Sequence, residues 1–195
     1  MTRQRWLQVG VGVLLLAVLV LGVIVGLEQL FRSAQPPLQE AAPGATAGTG
    51  VPHITATLFY ATAEGQSITG VRREVPLADG AIAQGRQILS AQMEAAPEGY
   101  VSTIPAGTVV RAFYVTPQGD AFVDLSAEVS SQHPGGSTAE LLTVHAIVNA
   151  VTANLPAVQR VQILIDGKEV DTLAGHVDLR RPLPRDVSLV RDPTR

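Results

Sequence analysis

Residues 134–156 read Pro134-Gly135-Gly136-Ser137-Thr138-Ala139-Glu140, then Leu141 through Leu155, then Pro156. This stretch predicts one well-signalled helix. Ser137 is placed as its N-cap, because a serine hydroxyl accepts from a backbone N–H that the first turn leaves unpaired. Glu140, three residues on, can reach back to the N-cap amide and complete a capping box. Leu141, Val144, Val148, Val151, Thr152 and Leu155 recur at helical spacing and give one apolar stripe. Pro156 ends the helix, having no amide hydrogen to continue the ladder. Most of the remaining segments read as strands, and a sheet needs such a stripe to cover its apolar face.

On the C-terminal side, Val158 to Ile165 is a strand rich in β-branched residues. Asp166-Gly167 is a two-residue hairpin signal, because both positions tolerate positive φ. Lys168 to Leu173 is the short return strand. On the N-terminal side, Val109 to Val115 and Ala121 to Ser126 are strands joined through the Gly-containing connection Thr116 to Asp120. Residues 127–136 form a loop into the helix. Further back, Ala81 to Ala95 predicts a second helix that buries Ile82, Leu89 and Met93, with Ile88 beside them. Gly85 weakens that helix by about 1 kcal/mol relative to Ala unless another backbone packs there. Ile54 to Tyr60 and Ile68 to Val75 are the first two strands. Arg180 to Arg195 is charged and Pro-containing, and a frayed tail is expected over 184–195.

The order is ββαββαββ. The expected fold is α+β, a mixed and mostly antiparallel sheet with two helices packed on one face. Residues 53–183 are long enough for one core.

Ahead of this domain, residues 1–6 carry Arg3 and Arg5, and residues 7–27 carry no charge. At about 1.5 Å per residue the uncharged run spans roughly 30 Å, the thickness of a bilayer core. A cleaved signal peptide has a shorter apolar region and a small-residue site, and Phe31-Arg32-Ser33-Ala34-Gln35 is a poor one. A soluble buried helix would show a polar face, and this run has none. The expectation is a single transmembrane anchor with a cytoplasmic N-terminus and the C-terminal part outside the cytoplasm. Residues 28–52, rich in Pro, Gly and Ala, read as a flexible linker.

Composition excludes several functions. Removing residues 1–32 takes out three arginines (Arg3, Arg5, Arg32) and one acid (Glu28), which moves the formal net charge from −3 to −5. A mildly acidic domain is a poor nucleic-acid binder. The chain has no cysteine, which removes disulfides, a thiol nucleophile, a Cys-based zinc site and a lipoprotein anchor.

Several stretches taken in order resemble the GerMN domain family. They are Leu58-Phe59-Tyr60 with Arg72-Arg73-Glu74-Val75-Pro76, then Ile104-Pro105-Ala106-Gly107-Thr108, then Val123-Asp124-Leu125-Ser126 with Glu128. Gly135-Gly136-Ser137 with Glu140 follows, then Val161 to Lys168, and finally Thr172 to Asp178. The resemblance covers about residues 54–179. It implies an extracytoplasmic α/β domain without established catalysis, associated in sporulating bacteria with assembly of an envelope complex. Two departures weigh against a sporulation role. Some relatives are lipoproteins, whereas this chain has no cysteine; one sporulation member carries two such domains, whereas this chain has one.

Candidate chemistry is thin. Ser137, His145 and Asp124 supply the residue types of a hydrolytic triad, but no G-x-S-x-G elbow accompanies them. His145 lies on the apolar stripe and reads as a partly buried histidine bonded to the backbone. His53, His133 and His176 lack metal spacing. Gly135-Gly136-Ser137 has the backbone for an anion cradle, yet no Walker lysine or dinucleotide fingerprint follows. Asp124, Asp166 and Asp178 fit turn and cap roles. Arg72, Arg73 and Glu74 are either a solvated strand face or part of an interaction surface. The functional expectation is a tethered, non-enzymatic interaction module that uses no cofactor and no metal. Its partners would be cell-envelope proteins. The alternative is a domain that binds a cell-wall glycan or peptide. A glycan site would draw on Phe59, Tyr60, Tyr100, Phe113, Tyr114 and Phe122, most of which the core needs.

Overall fold

The computed structural model describes residues 51–191. The anchor expected at 7–27 and the linker at 28–52 lie outside the described residues, apart from Val51 and Pro52. Among the described residues no helix is long and apolar enough to cross a membrane.

Strands β1 (His53–Ala61) and β2 (Ile68–Pro76) form an antiparallel hairpin in unbroken register, from His53 opposite Pro76 to Ala61 opposite Ile68. Helix α1 (Gly80–Met93) follows. Strands β3 (Val110–Val115) and β4 (Asp120–Leu125) pair antiparallel, with a register shift between Val110 and Ala112. A short helix, α2 (Glu128–Ser131), leads to the long helix α3 (Ser137–Asn154). Strand β5 (Arg160–Ile165) then pairs parallel to β4, so α2 and α3 make the crossover that parallel neighbours require. Two-residue strands β6 (Lys168–Glu169) and β7 (Leu183–Pro184) both pair with β5.

The α+β class holds, but the single sheet does not. The strands form two sheets, the β1–β2 hairpin and a five-stranded sheet ordered β3-β4-β5-β6, with β7 on β5. Side chains explain why the hairpin stays separate. Gln92 of α1 accepts from the Phe59 N–H and donates to the Phe59 carbonyl, at 2.8 and 2.7 Å. Asn154, at the end of α3, does the same for Thr57, with both bonds at 2.8 Å. Val101 bridges Ala61 through backbone bonds. Two amides and one residue of loop thus fill the β1 edge where a strand would otherwise add.

Helices α1 and α3 pack against each other and against both sheets. The α3 stripe is therefore wider than expected. Leu142, Ala146 and Ile147 are buried along with Val144, Val148 and Val151, while Leu141 and Thr152 are only partly so. A helix between layers is covered on more than one face, and a single-stripe reading misses that. In α1 the buried residues include Ile88 and Leu89, but Ile82 is 48% exposed; the buried face turns instead through Gln84 and Gly85. Gly85 is the reason α1 sits so close to β3: a Cβ there would collide with the Phe113 ring.

The expected frayed tail is also corrected. Pro184 and Leu183 pair with β5; Ile68 N–H donates to Leu189 O and Arg191 N–H to Ile68 O, at 3.0 and 2.9 Å. Asn149, buried on α3, bonds both the N–H and the carbonyl of Asp186. The segment up to Arg191 is part of the domain, because its backbone groups find partners there.

Candidate functional site

The start of α3 is where the family-like motifs converge. The capping box is not formed. Gly136 occupies the N-cap position with φ 87°, no side chain caps the helix, and Ser137 is already the first helical residue and exposed. Glu140 turns the other way. Its carboxylate is fully buried and accepts from the Leu173 and Ala174 N–H groups on one oxygen, at 2.9 and 2.8 Å. The other oxygen accepts from His176 N–H at 2.8 Å and lies 3.1 Å from His176 Nδ1. Burial alone would raise the Glu140 carboxyl, but the amides of residues 173–177 outweigh it and hold it below the ordinary glutamate range. Glu140 therefore fastens the loop after β6 onto α3.

His133 serves the same purpose on the other side. Its Nδ1 accepts from Gly135 N–H at 3.0 Å, so Nε2 carries the proton and donates to Thr143 Oγ1 at 3.1 Å. Thr143 in turn donates to the Thr103 carbonyl at 2.6 Å. Burial pushes the His133 pKa down. Between the Val101–Pro105 segment and the start of α3 lies a groove of about 600 Å³, lined by Val101, Ile104, Pro105, Pro134, Ser137 and Leu142 among others. A second, polar cleft of about 960 Å³ lies at the end of the hairpin, between Glu64, Ser67, Thr69, Glu98, Tyr100 and Arg191.

The remaining candidates do not assemble chemistry. Asp124 accepts from Gly167 N–H at 2.7 Å and from Arg111 Nε at 3.3 Å. His145 is buried but not bonded to the backbone as expected. Its Nδ1 has no hydrogen-bond partner among the described residues, and its Nε2 is 3.9 Å from Asp186. Burial lowers its pKa, with Asp186 opposing. None of these bonds involves Ser137, so Ser137, His145 and Asp124 are not brought together. Asp166 takes the positive φ of 51° in the β5–β6 turn and accepts from Arg111 at 2.8 Å. Asp178 pairs with Arg180 through two bonds at 2.9 and 2.7 Å, which with the Arg180 amide hold its carboxyl far below the usual range. No cluster of three metal-ligating side chains occurs among the described residues.

Arg72, Arg73 and Glu74 separate. Arg73 turns toward the protein and donates to Tyr60 Oη and the Ala95 carbonyl, each at 3.3 Å, and to Glu94 at 3.2 Å. Arg72 and Glu74 are exposed on the opposite face, and Glu74 accepts from Thr55 Oγ1 at 2.8 Å. Sequence reasoning missed Gln92, Asn149 and Asn154. The available signal was an amide side chain amid helical apolar residues, which needs a partner when buried.

A family model described as "Germane: Sporulation and spore germination" matches residues 57–171, more than half of the chain. The chain belongs to the Germane family. Solved structures with a similar fold include the tandem GerMN domains of the sporulation protein GerM from Bacillus subtilis. That likeness has a TM-score of 0.55 and 18% identity, covering 73% of this chain and 52% of that one. The first GerMN domain of the same protein gives 0.51 and 19%, covering 68% and 98%. A protein from Clostridium perfringens described as a lipoprotein gives 0.51 and 22%, covering 70% and 91%. At these identities the likeness is one of fold, and this chain spans about half of the tandem structure. No curated protein matches the chain.

Proposed function

We propose that this Germane-family protein is a membrane-tethered, non-enzymatic interaction module that acts outside the cytoplasm and contributes to envelope-complex assembly. One observation carries the reading. The motif residues Glu140 and Asp124, with the neighbouring His133, are spent on backbone groups of the domain itself. What they hold in place is a set of surface loops, which suits recognition rather than turnover. The uncharged run at 7–27 supports the tether, and the linker at 28–52 would give the domain reach. Pull-down from envelope extract with the full chain is the test. Recovery of an envelope protein is expected; no recovery, together with normal envelope assembly on deletion, would overturn the reading.

A second reading has one specific observation behind it. The polar cleft gathers Tyr100, Glu64, Glu98 and Thr69 in its lining, a set suited to a sugar face and its hydroxyls. Binding of the protein to purified cell-wall polymer, lost in Tyr100→Ala, would favour it over the first.

A further inference from the structure

The β3 and β2 edges carry unpaired main-chain groups among the described residues. The β3 edge is interrupted by the register shift at Arg111, whose side chain is committed to Asp124 and Asp166. Bulges of this kind discourage further pairing. The β2 edge is regular. Ile68 points its N–H and carbonyl outward, to Leu189 and Arg191. Backbone direction alternates by two along a strand, so Gly70, Arg72, Glu74 and Pro76 also face outward. None of the Gly70, Arg72 or Glu74 backbone groups has a partner among the described residues.

The two ends of this edge fix how another strand can use it. At one end Leu189–Arg191 already occupies the Ile68 position. At the other end Pro76 has no amide hydrogen, its carbonyl accepts from Gln84 Nε2 at 3.1 Å, and β2 stops there. Among the described residues the free groups are those of Gly70, Arg72 and Glu74. An antiparallel partner of the same sequence centred on Arg73 sets Arg72 opposite Glu74 twice over. Both side chains are exposed and share one face. Charges on an edge usually repel a second strand, but this pair is self-complementary. On the inner face Arg73 meets its own symmetry mate, and each is already neutralised by Glu94 of its own chain.

We propose that the domain dimerises by pairing β2 with β2 of a second copy about a two-fold axis at Arg73. Four main-chain hydrogen bonds form, from the N–H groups of Arg72 and Glu74 of each copy to the carbonyls of Glu74 and Arg72 of the other. The two hairpins become one four-stranded sheet. This stands independently of the envelope reading, since a dimer and a heterologous partner use separate measurements.

The chain has no cysteine, so one introduced thiol reports alone. At Arg73 the two Cα atoms would lie about 4.5 Å apart, within disulfide reach. Arg73→Cys in the full chain should give a covalent dimer on oxidation. Tyr114→Cys, 58% exposed on the other sheet, should not. Adding Arg72→Glu to Arg73→Cys should cut the yield roughly tenfold, by setting like charges opposite one another. Adding Glu74→Arg to that pair should restore it. Absence of a dimer from folded Arg73→Cys, equal yield from Tyr114→Cys, or a reversal that changes nothing would each overturn the proposal.

Discussion

Glu140→Ala is the sharpest perturbation of the domain's polar centre. The substitution removes the acceptor of three backbone N–H groups, those of Leu173, Ala174 and His176. A buried donor left unpaired costs about 1–3 kcal/mol. Leu173 is 2% exposed and cannot recover its bond from solvent. Ala174 and His176 are better placed to reach water. A loss of about 2–5 kcal/mol is therefore expected near neutral pH. Glu140→Gln keeps one acceptor oxygen and sets its amide against a donor, and about 1–3 kcal/mol is expected. The pH dependence follows from the lowered carboxyl pKa. The unfolded chain takes up the proton first, so the Glu140 contribution is complete above the unfolded value of about 4.3. It is lost as pH falls through the folded pKa below that. The gap between wild type and Glu140→Gln should narrow on acidification. Urea denaturation followed by circular dichroism at neutral and acidic pH measures both effects. A Glu140→Ala cost under about 0.5 kcal/mol would refute the reasoning, since that is the level of an ordinary surface change.

Gly85→Ala should destabilise by about 1–3 kcal/mol in urea, because overpacking against Phe113 outweighs the gain in helix propensity. Phe113→Leu in the same chain should recover part of that loss. Gln92→Ala strands both the N–H and the carbonyl of Phe59, and about 2–4 kcal/mol is expected by the same titration. His145 is held neutral by burial, so the folded state loses stability as pH falls below the unfolded histidine pKa of about 6.5. His145→Gln should flatten thermal midpoint against pH in that window. A residual slope from His133, shifted the same way, should remain.

The elements were legible where local signals were strong. The Asp166-Gly167 turn, the long helix to Asn154 and the β3–β4 hairpin follow from turn chemistry and periodicity. The separation of the sheets was not legible. It depends on Gln92 and Asn154 meeting β1 across 33 and 97 residues, which no local window contains. The capping box failed for a related reason. Glu140 has the spacing to cap its own helix, but three N–H groups from a distant loop compete for it and win. The tail likewise looked frayed because charge and proline are local features. Its anchors, Asn149 and Ile68, are remote. The motif residues pointed to the right place in the fold and to the wrong partners.

The central claim is that this Germane-family protein works by contact, with its polar motif residues spent on structure. In-cell crosslinking from exposed sites on the domain, with identification of what is captured, tests it most directly. Capture of envelope proteins, unchanged by Ser137→Ala, is the expected result. Absence of any envelope partner, together with loss of biological function in a folded Ser137→Ala variant, would contradict it.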